Sequence, residues 1–190
     1  MSETHPRGSL WFRPVEWTDS ETLFVWRSDR DTIASTIRQA AVDIPEHGLW
    51  MSSVMLDPRR KRLVAMVEWS RPVIMPVGLK RDEQVAVAFG LVTTTATQYG
   101  IDLAWMVAPE WRGKGLGKLM VQSVVKSLSP APLYAFIAES NVRSWKCASA
   151  AGMLRVSGDA FEPMIARFFE ANAPPHGEGW GLYAKNFPGM

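Results

Sequence analysis

From Arg112 to Lys118 the chain reads Arg-Gly-Lys-Gly-Leu-Gly-Lys. Glycines at alternate positions, Gly113, Gly115 and Gly117, stand among the cations Arg112, Lys114 and Lys118. Such a stretch suits an anion. Glycine permits positive φ and close approach of a ligand to the backbone. If a helix begins here, its first amides lack intrahelical partners and its dipole adds partial positive charge. Two phosphate-binding templates fail on the count. The nucleoside-triphosphate loop requires its second glycine where Lys118 stands, and the dinucleotide fingerprint requires one at Lys118 or Met120. A third spacing, Arg112-x-x-Gly115-x-Gly117, fits a strand-to-helix junction. It predicts a metal-free pyrophosphate site.

Few other residues offer chemistry. His47 has the side chain whose ordinary pKa suits a base near neutrality. Glu139 and Asp102 are carboxylates at or near strand ends. Cys147, the one cysteine, reads as a packed residue rather than a nucleophile, and it leaves no partner for an internal disulfide. No Cys/His cluster suggests a zinc site.

These residues need a scaffold, and the pattern supplies one. Strands are expected at Leu10–Val15, Leu63–Trp69, Val85–Thr94, Ile101–Val107, Leu133–Ala138 and Leu182–Phe187. A capping-box pattern at Thr18–Glu21 predicts a helix carrying Leu23, Trp26, Arg27 and Arg30. Asp43-Ile44-Pro45-Glu46 predicts a second helix that bears His47, Trp50, Met51 and Val54 and stops before Asp57-Pro58. Leu116–Leu128 is amphipathic, with Leu116, Met120, Val124 and Leu128 on one side. Arg143–Ala151 is helix-compatible and ends at Gly152. Ser70–Gln84 reads as a loop or loose hairpin. The order predicts one α/β domain over 1–190, with an antiparallel first half and a βαβ unit in the second.

The bulk numbers narrow the partners. A net charge of +2 over 190 residues argues against a nucleic-acid partner. No apolar run reaches the roughly 18 residues of a membrane helix. The first residues, MSETHPRGSLWF, lack an apolar core of signal-peptide length, so the expected location is cytoplasmic. A monomer and a homodimer fit equally.

The segment VAPEWRGKGLGKLM resembles the acetyl-CoA pyrophosphate loop of the GNAT acetyltransferase superfamily, with Val107, Pro109, Arg112, Gly115 and Gly117 in the matching places. ESNVRSWKCASAAGM resembles the segment that follows it in that family. Asn141, Ser144 and Gly152 match, and Met153 stands where Phe is usual. The resemblance implies a GNAT-type mixed, mostly antiparallel central sheet flanked by helices, with a splayed strand pair holding acetyl-CoA. It implies acetyl transfer to a primary amine by direct attack in a ternary complex, without a metal. The cofactor would lie along Trp105, Met106 and Val107, on Arg112, Gly113, Lys114, Gly115, Leu116, Gly117 and Lys118, and against Asn141 and Ser144.

Many members carry a Tyr, taken as the acid for the leaving thiolate, where this chain has Ala148. Tyr134 or Tyr183 is the candidate replacement, with Ser144 and Ser149 as weaker donors, and Glu139 or His47 is the candidate base. Trp26, Arg27, His47 and Trp50 resemble the Trp-Arg-Asn … His-x-x-Trp signature of acetyltransferases acting on nucleotide-linked amino sugars, the pseudaminic-acid pathway type, although Ser28 replaces the Asn. The ribosomal-protein N-terminal acetyltransferases share this layout. The implied substrate side is Trp26, Arg27, Arg30, His47 and Trp50, with tryptophan to stack a base and arginine to hold a diphosphate. A protein N-terminus, a lysine or another small amine is the alternative acceptor. A non-catalytic acyl-CoA-binding domain is the alternative from another class.

Overall fold

The computed structural model describes residues 10–74, 80–159, 161–172 and 179–187. Seven strands form one sheet: β1 (Leu10–Pro14), β2 (Arg60–Ile74), β3 (Lys80–Thr97), β4 (Gly100–Val107), β5 (Leu133–Ala138), β6 (Leu154–Val156) and β7 (Trp180–Lys185). Their spatial order is β1-β2-β3-β4-β5-β7-β6, and every neighbouring pair is antiparallel except β4–β5. The helices are α1 (Ser20–Ser28), α2 (Arg30–Ala34), α3 (Ile44–Leu56), α4 (Leu116–Leu128), α5 (Val142–Ala150) and α6 (Glu162–Asn172). This is the mixed, mostly antiparallel architecture that the sequence implies.

Strand alternation sorts the core into two faces. On one, Ala65, Val92, Leu103, Leu133 and Ala135 meet Leu116, Met120, Val121, Val124 and Val125 of α4. Ile101, Trp105 and Val107 pack against the same cluster, as the period-two reading of β4 requires. On the other face Val64 and Leu91 meet Leu23 and Trp26 of α1 and Met51 and Val54 of α3. The sheet thus carries α4 on the side opposite α1 and α3, and the segments joining β4 to α4 must pass between them.

Local signals account for most helix ends. Asp43 accepts the amide of Glu46 at 2.7 Å, and Pro45 sits in the first turn of α3. Asn141 caps α5 by accepting the amide of Ser144 at 3.1 Å. The start of α1 differs from expectation. A 3-10 turn at Trp17–Asp19 precedes it. The box closes earlier, with Asp19 accepting the amide of Glu16 at 2.8 Å and pairing with Arg13.

Of the two readings of 70–84, loop or loose hairpin, the structure takes the hairpin. Residues 70–74 and 80–84 continue the β2–β3 ladder from Ser70↔Gln84 to Ile74↔Lys80, and 75–79 lie outside the described residues. Backbone pairing tolerates the mixed charges and the proline that argued for a loop. Three elements left no sequence expectation. α2 and β6 are too short to show a period. α6 lies inside 161–180, of which 173–178 are outside the described residues.

Candidate active site

β4 and β5 are hydrogen-bonded only at Ile101↔Leu133 and Asp102↔Tyr134. Beyond that point they part, while β4 stays paired to β3 as far as Val107. The edge of β4 from Leu103 to Val107 that faces β5 therefore has no strand partner. Arg112 uses one acceptor of this region, donating from Nε to the Val107 carbonyl at 3.2 Å.

The parted strands open into a cavity of about 910 Å3. Its wall includes Trp105, Met106 and Val107 of β4, then Arg112, Gly113, Gly115, Leu116, Gly117 and Lys118 of the loop, and Asn141 and Ser144 at the start of α5. The sequence-predicted cofactor residues thus converge, apart from Lys114, which is not on the wall and sits 5.2 Å from the Trp111 ring centre.

The glycines serve two purposes here. Gly115 is the N-cap of α4 at φ 76°, in the left-handed region, with open space where a Cβ would stand. Gly117 is a close approach: a Cβ there would lie 3.1 Å from the Val107 side chain. The amides of Leu116, Gly117 and Lys118 begin α4 without a carbonyl of their own helix to meet, so they are available to an anion.

Arg112 differs from its expected use. Its guanidinium meets Asp29 at 2.7 Å and donates to the Thr32 hydroxyl at 2.7 Å. Asp29 caps α2 by accepting the Thr32 amide at 2.9 Å. Burial opposes the charge on Asp29, but the Thr32 amide and Arg112 together hold its carboxyl below the ordinary value. Arg112 is committed to clamping α2 onto the loop, which leaves anion contact chiefly to backbone amides. Asn141 is likewise a helix cap, and that cap uses its oxygen and leaves its amide nitrogen.

The wall of the cavity also includes Arg27 and Trp50, with Thr32, Thr36, Arg38 and Glu46. Leu91, Thr93 and Ala104 belong to the wall as well. Ala104 is exposed in mid-strand, so its small side chain leaves room there. The Arg27 guanidinium lies 4.2 Å from the Trp50 ring centre. His47 stacks on Trp50 at 5.4 Å.

His47 is buried and both ring nitrogens are engaged. Nε2 donates to the Ser20 carbonyl at 2.9 Å, and Nδ1 lies 2.9 Å from Arg27 Nη1, which can only donate. The ring is therefore the neutral Nε2–H tautomer. Burial, then the Arg27 charge, hold its pKa below the ordinary value. With its lone pair already facing a guanidinium, His47 orients Arg27 and has no free nitrogen for an incoming proton.

Several predicted residues are elsewhere. Tyr134 is buried under α6, beside Met164 and Leu182, and donates to the Thr97 hydroxyl at 3.0 Å. It sits at the closed end of the β4–β5 pair, because alternation along β5 turns it away from the α4 face. Glu139 pairs with Arg155 and is absent from the cavity wall. Trp26 is core, 3% exposed, among Leu23 and Met51. Arg30 is exposed on α2, outside the wall. Asp102 lies at the paired end too, where burial pushes its carboxyl up to about 6. Ala148 is fully buried and has no proton to give. Cys147 does reach the wall, beside Gly117, and burial pushes its thiol up. Sequence reasoning missed Thr32, Thr36, Arg38 and Glu46. They come from a short helix, a linker and a helix start, which have no periodicity to read.

Residues 9–154 match the family described as acetyltransferase (GNAT) domain. No curated protein matches the sequence significantly. Among solved structures, a spermidine N-acetyltransferase from Vibrio cholerae, in complex with CoA and spermine, is similar at TM-score 0.63 and 13% identity, covering 92% of each chain. An aminoglycoside acetyltransferase in complex with coenzyme A and kanamycin is similar at 0.60 and 16%, covering 93% of each. A putative phosphinothricin N-acetyltransferase is similar at 0.59 and 20%, covering 93% of this chain and 98% of the other.

Proposed function

Since this chain belongs to the GNAT acetyltransferase family, and is thereby an acetyl-CoA-dependent N-acetyltransferase, we propose that its cavity takes acetyl-CoA at the glycine loop and a small amine at the Arg27–Trp50 end. One observation carries the reading: the loop, the parted strands and the Arg27–Trp50 wall open into the same cavity of about 910 Å3. The amides of Leu116, Gly117 and Lys118 would hold the pyrophosphate, with Lys118 adding charge. The unpaired edge of Trp105–Val107 would receive the pantetheine arm as a strand receives a neighbour. The amide nitrogen of Asn141 and the Ser144 hydroxyl would face it from α5. The bound group supplies an activated thioester, and the chain supplies proximity.

Among the described residues the wall carries two carboxylates, Asp31 and Glu46, and no histidine. Asp31 lies between Arg112 at 3.7 Å and Arg143 at 3.5 Å. Glu46, 3.8 Å from Arg38 on the acceptor side, is our choice to take the amine's proton, directly or through water. His47 keeps Arg27 in place. With no tyrosine on the wall, the thiolate leaves unassisted or takes the Ser144 proton. A thiol's ordinary pKa of about 8.5 makes that tolerable.

For the acceptor we favour an amine on a nucleotide-linked amino sugar. Arg27, held against the Trp50 ring, and Arg38 would offer cations to its diphosphate. Thiol release from acetyl-CoA against UDP- and dTDP-linked amino sugars, a peptide with a free N-terminus and a polyamine tests this. Turnover is expected with an amino-sugar nucleotide. Turnover confined to peptide or polyamine would discard that acceptor and keep the reaction.

A further inference from the structure

The helices differ in what they show to solvent. The exposed residues of α4 include Lys118 and Lys126, and those of α6 include Glu162, Arg167 and Glu170. The exposed residues of α3 are Ile44, Pro45, Gly48, Leu49, Met55 and Leu56, none of them charged. Leu49 is 74% and Leu56 79% exposed. The other side of α3 is already occupied, with His47, Met51 and Val54 buried. A surface helix ordinarily turns charge outward, and a helix that is apolar all round ordinarily has partners on both sides. Leu49, Ser52 and Leu56 follow at spacings of three and four, with Gly48 and Met55 beside them, so the outward residues form one stripe.

The ends of this stripe carry opposite charge. Asp43, exposed, caps the N-terminal end. Arg59, Arg60 and Lys61, all exposed, follow the C-terminal end, where Asp57 meets Arg59 at 3.2 Å and Arg60 at 3.4 Å and leaves the end net positive. A surface that is apolar in the middle, acidic at one end and basic at the other complements its own copy turned end over end. That turn also sets the two helix dipoles antiparallel.

We propose that α3 is the contact of a homodimer, packed antiparallel on α3 of a second copy about a two-fold axis at Ser52. Leu56 then faces the partner's Gly48, where a Cβ would meet nothing within 4 Å. Leu49 faces the partner's Met55, and Asp43 reaches the partner's Arg59 and Lys61. Gly48 and Ser52 let the axes approach to the roughly 8–10 Å of packed helices. α3 also supplies Trp50 and Glu46 to the cavity wall, so the contact braces the acceptor side from behind.

Sedimentation equilibrium tests the pairing. The wild-type protein is expected to be a dimer at about 100 μM, within reach of a contact made by one helix pair. Leu49→Glu combined with Leu56→Glu sets like charges against each other and should weaken association at least about hundredfold. Circular dichroism and CoA affinity should not change in that variant, because both positions are exposed and neither lines the cavity. Asp43→Asn, which keeps a capping side chain, should weaken association by about two- to fivefold. Ser52→Cys should cross-link to its own copy under mild oxidation, since the axis brings the two together, whereas Ser127→Cys on the exposed side of α4 should not.

A monomer at that concentration overturns the proposal. So does a dimer that survives Leu49→Glu with Leu56→Glu, or one in which Ser52→Cys stays unlinked, because the contact would then lie elsewhere or run in another register. A monomer that cosediments with anionic phospholipid vesicles, and loses them in the double variant, would give the face to a lipid surface and overturns it too. None of these outcomes touches acetyl transfer, which CoA binding and thiol release decide.

Discussion

The two ends of the cavity are made of different material. At the proposed cofactor end the unpaired groups are backbone: the first amides of α4 and the open edge of β4. Even the charged side chain there, Arg112, is turned to Asp29 and Thr32 and holds the frame instead of facing the space. At the acceptor end the surface is side chain: Arg27 and Trp50 on the wall, and Arg62 behind the ring. Backbone amides read a pyrophosphate common to a whole family. Side chains can be exchanged, so they are where one member becomes specific.

The strongest way to break this contrast is at Gly115. Gly115→Glu puts a bulky anion into the open space at the N-cap and forces a non-glycine residue to φ 76°. Acetyl-CoA binding should fall by more than about a hundredfold in calorimetry, while circular dichroism still reports a folded chain, because the backbone strain costs only about 1–2 kcal/mol. Retained binding would show that the loop is not the cofactor's seat.

Trp50→Ala sharpens the contrast from the other end. It removes the ring shared by Arg27, Arg62 and His47. The acceptor KM should rise by about ten- to a hundredfold, the scale of a lost aromatic anchor. The Kd for CoA should not move. A parallel loss of CoA affinity would mean that the two ends are not separable.

The smallest effect concerns His47. Its folded pKa lies below the ordinary 6.5, so between those values the unfolded chain binds more protons. Its contribution to stability is therefore complete above about 6.5 and lost as pH falls toward the folded pKa. Denaturant unfolding should show this slope in the wild-type protein and a shallower one in His47→Gln. A rate profile that broke with the histidine, and lost that break in His47→Gln, would restore His47 as a base.

The legibility of the site follows the same division. Arg112 to Lys118 are contiguous and sit at an element boundary, so their spacing marked an anion loop, and the family resemblance added Asn141 and Ser144. The core faces of β4 and α4 were legible for a related reason, since one period governs each. Glu139, Tyr134 and Trp26 were misjudged because their placement depends on which partner claims them: Arg155, the Thr97 hydroxyl and the α1–α3 core. Arg62 stands in a run of basic residues that reads as a solvated loop, and only the β2–β3 register turns it inward.

By itself, then, the sequence determined the main strands and helices, the glycine-rich turn from β4 to α4 and, through its motifs, the family, because these rest on local conformation and short spacing. Only the tertiary structure decided where β4 and β5 part, which partners engage the two nitrogens of His47, and which residues reach the cavity wall. Those are matters of long-range pairing, in which residues far apart in the chain compete for the same partner and the same space.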